Sequence, residues 1–226
     1  MSRVLAINGS ARMERGRLEA LLRAFLGGME GAGADVEVVY ASRLKVGPCT
    51  AELHCWNDAK GECHIKDAMQ ALYTKLKAAD TWVLATPVNI PIPGELQNIL
   101  NRMCALLEPR LATRAGRTRA RLRPDVRTRR LVLVSTSGWW EMGNFGTVVR
   151  IARELAATSS IEFSGAVLRP HSQHMMSGGK VTERGREVLG AARAAGAQLE
   201  SRGRMDPRTL RAVSRPLVSR KEYFGD

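Results

Sequence analysis

The chain has 226 residues, 44% of them apolar, so it can bury a full core in one domain with a short addition. Its net charge of +13 comes from 35 Lys and Arg against 22 Asp and Glu. No apolar run is long enough to span a bilayer, and the opening Met-Ser-Arg-Val-Leu lacks a signal-peptide layout, so a cytoplasmic location without membrane attachment is the expectation.

Val4-Leu5-Ala6-Ile7 reads as a buried strand bounded by Asn8-Gly9-Ser10. Leu18, Leu21, Leu22, Phe25 and Met29 recur at helical spacing, and Gly31 and Gly33 end that helix. Val36, Val38 and Val39 form a second strand, and Met69, Leu72, Tyr73 and Leu76 a second helix opened by Asp67. Trp82–Ala85 is a third strand stopped by Pro87. Leu96, Ile99, Leu100, Met103 and Leu107 mark a third helix with Pro93 near its start. Leu131–Val134 is the fourth strand, and Val148, Val149, Ala152 and Leu155 belong to the fourth helix. Ile161–Leu168 is the fifth strand and Val181–Arg202 the fifth helix.

Five strands alternating with five helices predict an α/β three-layer sandwich around a parallel sheet. Five strands favour the flavodoxin-like order 2-1-3-4-5 over the six-stranded dinucleotide-binding order. Residues 1–203 form this domain, with an Arg-rich insertion over 109–130, and 204–226 form a C-terminal extension. The stretch Arg110–Arg130 holds nine arginines against the single acid Asp125. It reads as a solvated or subunit-facing loop, while nucleic acid, anionic membrane or an acidic partner would also answer such charge. The extension, with Pro207 and Pro216, reads as an extended arm that packs on its own domain or on a neighbour, or as a partly disordered end.

Ligands on such a sheet bind at the strand carboxyl ends, beside the point where strand order reverses. Three loops fall there. Asn8–Arg17 joins a strand to a helix: Gly9 permits a tight turn, and Ser10 offers a hydroxyl and a backbone N–H. Arg12, Arg15, Gly16 and Arg17 border the helix start, a place suited to phosphate. Neither a Walker pattern nor Gly-x-Gly-x-x-Gly is present. Pro87, Val88, Asn89 and Ile90 begin a proline-stiffened loop suited to the edge of a planar ring. Thr136, Ser137, Gly138 and Trp139 offer donors and an aromatic face, and Trp140 follows. One phosphate site and two ring-lining loops fit flavin mononucleotide (FMN).

Cys49, Cys55, Cys63 and Cys104 are expected as thiols or metal ligands in a reducing compartment. Three cysteines with His54 and His64 lie within sixteen residues, but a four-thiolate cluster lacks its fourth local thiol, so no metal site is assigned.

The motifs together resemble the NADPH-dependent FMN reductase family of the flavodoxin-like superfamily, in the branch related to iron–sulfur flavoproteins. The resemblance runs from about Arg3 to Arg202 and includes Pro216–Tyr223. It is carried by Gly9-Ser10-Ala11-Arg12, Ile65-Lys66-Asp67-Ala68-Met69, Thr86-Pro87-Val88-Asn89 and Leu96–Arg102. The family's Gly-Asn-Thr helix start reads Gly16-Arg17-Leu18 here, and Glu52 stands where its second cysteine would be, between Cys49 and Cys55 with Cys63 beyond. The tyrosine of its Ser-Pro-Val-Tyr loop is Asn89. The resemblance implies hydride transfer from NADPH or NADH to FMN and on to a small-molecule acceptor, with the flavin doing the chemistry and no acid–base residue nominated. It also implies a homodimer or homotetramer. Two alternatives are an FMN electron-transfer protein without pyridine-nucleotide activity, and a nucleic-acid- or partner-binding protein on the same scaffold. The second draws on the arginine block.

Overall fold

The computed structural model describes residues 1–57 and 61–225. Strands β1 (Arg3–Asn8), β2 (Asp35–Tyr40) and β3 (Thr81–Pro87) precede the short β4 (Ala112–Arg114) and β5 (Arg117–Arg119). Then come β6 (Arg130–Thr136), β7 (Glu162–Arg169), β8 (Met176–Ser177) and β9 (Lys180–Val181). The helices are α1 (Arg17–Gly31), α2 (His54–Asn57), α3 (Met69–Ala78), α4 (Gly94–Arg102), α5 (Gly146–Ser159), α6 (Glu183–Arg202), α7 (Pro207–Ser214) and α8 (Arg220–Phe224).

The central sheet is fully parallel in the order β2-β1-β3-β6-β7. Counting only these five strands, this is the expected order 2-1-3-4-5. Strand alternation sorts the core into two layers. Leu5, Ile7, Trp82, Leu84, Leu131 and Leu133 face α3, α4 and α5, whose Leu72, Leu76, Leu96, Ile99, Val148 and Ala152 cover them. Val4, Ala6, Val83, Ala85, Val132 and Val134 face the other way, against Leu18, Leu22 and Phe25 of α1 and Val188 and Ala192 of α6. No described helix is long and apolar enough to cross a membrane.

Three boundaries depart from the sequence reading. The third helix ends as an α-helix at Arg102 and tightens into a 3-10 turn over Met103–Leu106, because Leu107 leaves to bridge Leu122. The fifth helix starts at Glu183. Thr182 caps it by accepting from the Gly185 N–H at 3.0 Å, and Val181 is drawn into β9 opposite Met176. The fifth strand starts at Glu162, since Ser160 closes α5 in the left-handed conformation.

Two larger features correct the reading. The arginine block is not a plain loop throughout: its residues 112–119 fold back as the β4–β5 hairpin, and the remainder to residue 129 has no strand or helix. Arg117 and Arg119 both pair with Glu154 of α5, at 2.9 and 2.8 Å. The segment after Gly203 packs on its own domain, one of the expected alternatives, but through residue 225 it is helical rather than extended and not loose. Asp206 caps α7 by accepting from the Arg208 N–H at 2.6 Å, with Pro207 in the first turn. Met205, Val213 and Leu217 complete the core layer beside α6. Asp226, the last residue of that extension, lies outside the described residues.

Candidate functional site

The carboxyl ends of β1, β3 and β6 meet in a cleft. Its first part, a cavity of about 430 Å³, is lined by Ser10, Arg12, Gly16 and Arg17 from the first loop, with Pro87, Val88 and Asn89 from the second and Thr136 and Gly138 from the third. A second cavity of about 660 Å³ shares Val88, Asn89 and Gly138 with the first and adds Ile90, Ser137 and Trp139. Twelve of the thirteen predicted residues therefore line one continuous cleft. The exception is Arg15, which is exposed on the 3-10 turn Met13–Arg15 and lines neither part.

The first loop is organised from below. Asn8 is fully buried at the end of β1, where its Nδ2 donates to Glu19 at 2.8 Å and its Oδ1 accepts from the Ser10 N–H at 2.8 Å. Glu19 is also buried and accepts from the Tyr40 hydroxyl and the Arg23 guanidinium, both at 2.7 Å. Its charge is thus met by three donors. The Ser10 N–H, expected to serve a ligand, is spent on Asn8. Ser10 Oγ accepts from the Arg12 N–H at 3.2 Å, leaving its O–H to donate outward.

The remaining donors belong to α1. No side chain caps its N-terminus, and the first N–H groups of a helix have no partner within it. Gly16 stands at that end. A Cβ there would lie 3.3 Å from Arg12 Cβ and 3.4 Å from Ser10 Oγ, partly filling the cradle between them. Gly9 is used for space rather than for a turn: a Cβ would sit 2.6 Å from Leu96 Cδ2.

On the other side, the Val88 N–H donates to the Thr136 carbonyl at 2.8 Å, joining the second and third loops. The Ile90–Pro91 peptide is cis. Ile90 is 96% exposed and Trp139 62% exposed, an apolar rim at the mouth. Trp140 lines neither cavity and stacks on His171 at 4.7 Å. Sequence reading missed Gly94 and Glu95 at the start of α4, Asn144, and Ser172. Asn144 lies four residues beyond Trp140, past the part of the third loop singled out from sequence, and Ser172 follows the fifth strand, where the same carboxyl-end rule applies.

The cysteine segment lies outside this cleft. Two residues that carry the family resemblance meet beneath it. Arg102 is buried and donates to Asp67 at 2.9 Å and to the carbonyls of Ile65 and Gly47 at 3.1 and 3.2 Å. Burial pushes the Asp67 carboxyl up, but Arg102 and the Gly47 and Met69 N–H groups outweigh it and hold it below the usual range. Glu52 pairs with His64 Nδ1 at 2.6 Å. Burial raises the Cys55 thiol, and burial together with Cys55 pushes Cys104 up to about 12, so both stay protonated near neutrality. Cys63 is buried and Cys49 exposed. Among the described residues no group of three or more His, Cys, Asp or Glu could hold a metal ion.

The family model described as NADPH-dependent FMN reductase matches residues 2–144. An iron–sulfur flavoprotein of Archaeoglobus fulgidus is 32% identical over 102 residues, which is 45% of this chain and 45% of that protein. The match thus spans less than half of that relative. Among solved structures, an NAD(P)H:quinone oxidoreductase from Methanothermobacter marburgensis superposes with a TM-score of 0.58 and 18% identity, over 88% of this chain and 96% of its own. An FMN-dependent NADH-azoreductase from Bacillus anthracis, solved in complex with FMN, gives a TM-score of 0.60 and 16% identity over 89% and 99%. At such identities the likeness is one of fold.

Proposed function

This chain belongs to the NADPH-dependent FMN reductase family, and we propose from that premise that its cleft holds FMN, reduced by NAD(P)H and reoxidised by a small conjugated acceptor. The family makes it an oxidoreductase with FMN as cofactor and NAD(P)H as electron donor. When bound, the flavin supplies the hydride acceptor and the electron relay.

The protein's part is to bind and orient. The unpaired N–H groups of α1, the Ser10 hydroxyl and the Arg12 and Arg17 guanidiniums suit a phosphate monoester. Pro87–Ile90 and Thr136–Trp139 suit the two edges of a flat ring, with Gly138 shared by both cavities. One observation carries the reading: an uncapped helix N-terminus opens through Gly16 into the same cleft as both ring-lining loops. Quinones and azo compounds are the proposed acceptors, on the fold likeness to enzymes named for them. The exposed Ile90, Trp139 and Met142 beside the cleft support a homodimer or homotetramer in which a second copy covers the mouth. Four unpaired cysteines support a cytoplasmic setting.

The test is the visible absorption of the purified protein, followed by NADH and NADPH oxidation with a quinone or azo dye. Flavin bands and acceptor-dependent turnover are expected. A colourless protein that cannot be reconstituted with FMN would overturn the cofactor assignment at this cleft, and bound FMN without turnover would leave an electron carrier instead.

A further inference from the structure

The segment that closes the ring side of the cleft is held in place by other parts of the chain. Ser137, Gly138 and Trp139 follow β6 and belong to no strand or helix. Their three consecutive carbonyls each accept one hydrogen bond from another part of the chain. Ser137 accepts from the Ser172 N–H at 2.9 Å and Trp139 from the His171 N–H at 2.8 Å. Gly138 accepts from the Tyr223 hydroxyl at 2.8 Å. In a trans peptide the carbonyl and the following N–H point in opposite directions. With the Ser137 carbonyl fixed toward Ser172, the Gly138 N–H is turned away from that segment, and it has no partner among the described hydrogen bonds.

Two of these anchors come from the chain just after β7. The third comes from α8, 85 residues beyond Gly138. Tyr223 is held there by rings: Trp140 at 5.2 Å, Phe224 at 4.9 Å and His171 at 6.1 Å. The tail carrying it is latched to the end of β7. Arg169, fully buried, donates to the carbonyls of Val213 and Arg215 at 2.7 and 2.8 Å. His171 Nε2 meets two donors, Arg169 at 2.6 Å and the Leu217 N–H at 3.2 Å, so it acts as an acceptor and the ring proton sits on Nδ1. The tail is therefore not a passive cover. It delivers a hydroxyl to the middle carbonyl of a site segment.

We propose that Tyr223 is a positioning residue of the flavin site: its hydrogen bond to the Gly138 carbonyl fixes the two peptide units around Gly138 and so sets the affinity of the cleft for FMN. This rests on the FMN reading above. Tyr223 lines neither cavity, so its effect is exerted through Gly138 and not by contact with the ring.

The test uses the full chain and two variants. Tyr223→Phe removes only the hydroxyl and keeps the aromatic cluster. Ser214→Ala loosens the tail elsewhere, at the Leu168 and Leu210 carbonyls, to which Ser214 Oγ donates at 2.9 and 3.1 Å. FMN affinity is read by quenching of flavin fluorescence, bound-flavin geometry by visible circular dichroism, and apo stability by thermal melting. The expected result is that Tyr223→Phe weakens FMN binding by about three- to tenfold, the range one neutral hydrogen bond spans, and alters the flavin dichroism. Ser214→Ala lowers the melting temperature while FMN affinity stays within about twofold of wild type. Wild-type FMN affinity and dichroism in Tyr223→Phe would sink the positioning role alone. Equal weakening by Ser214→Ala would sink it too, since the tail would then act only through stability. A wild-type chain that takes up no FMN would sink the cofactor reading and this role with it.

Discussion

Arg169 and His171 place two basic groups side by side at the end of β7, with no carboxylate among their described partners. Burial, then the nearby Arg215, lowers Arg169 to about 10. Burial, then Arg169 and His174, lowers His171 to about 4 from an ordinary 6.5. A neutral imidazole is what the latch needs, because an imidazolium could not accept from Arg169 and Leu217. The depressed pKa means that the unfolded chain takes up this proton first as pH falls. The contribution of neutral His171 is therefore complete above about pH 6.5 and lost as pH falls to about 4. The loss amounts to about 3 kcal/mol. His171→Asn keeps an acceptor and tolerates the left-handed backbone at φ 34°. Its urea-unfolding free energy should fall less steeply with acid between pH 6.5 and 4 than that of wild type, and parallel slopes would contradict this account of the latch. The arginines of the first loop separate in the same way, by position rather than type. Arg12 lines the cleft and Arg15 does not. Arg12→Ala is expected to weaken FMN binding about fivefold to twentyfold, as loss of a charge-assisted hydrogen bond does, and Arg15→Ala less than about twofold. Titration of FMN into each variant decides it. Spacing alone could not tell the two apart, because the 3-10 turn that swings Arg15 outward has no strong sequence mark.

Helices α1 and α6 pack backbone against backbone. A Cβ on Gly28 would lie 1.9 Å from the Arg193 carbonyl oxygen, and one on Gly196 1.9 Å from that of Phe25. Both neighbours are backbone, which cannot rotate aside. Gly28→Ala must push the helices apart and strain the layer holding Leu22, Phe25 and Ala192. The expected cost is about 2–4 kcal/mol, seen as a lower urea midpoint, although alanine raises helix propensity. A variant as stable as wild type would mean that the helices slide freely. In sequence these glycines look like weak points of an alanine-rich helix, since nothing local records the neighbour that requires them. The long elements were legible because their apolar periodicity is dictated by the two-layer core. Val4 and Ala6 face one layer, Leu5 and Ile7 the other. The hairpins were not legible: β8 and β9 have two residues each, too few to show a period. The tail did carry its signal. Asp206-Pro207 is a cap followed by a first-turn proline, and Leu210 and Val213 lie three apart. Its prolines and arginines, by composition alone, point the other way.

At the scale of the whole molecule, the +13 charge is less available than it looks. Of the nine arginines between 110 and 130, at least five make ion pairs among the described residues: Arg117 and Arg119 with Glu154, Arg121 with Glu108, Arg127 with Asp80 and Arg130 with Glu200. A stripe partly engaged this way is a poorer polyanion surface than its sequence suggests, which supports a small anionic ligand over nucleic acid. Binding of that ligand should be visible in the stability of the whole fold, because its site joins β1, α1, β3 and β6. A ligand that binds only the native state stabilises it by about 2.7 kcal/mol at a hundred times its dissociation constant. For a chain of this size that raises the melting temperature by about 5–10 °C. On the proposed assignment, the phosphate end would contribute through the uncapped α1, Ser10 and Arg12, and the ring end through Pro87–Ile90 and Thr136–Trp139. Riboflavin carries the same ring without the phosphate. At the FMN concentration that gives the full shift, riboflavin should give less than about a third of it, and added inorganic phosphate should recover part of the difference. Thermal melting of the flavin-free protein against the three ligands measures this directly. Equal shifts with FMN and riboflavin would show that the α1 terminus does not hold the phosphate, whatever the ring loops do.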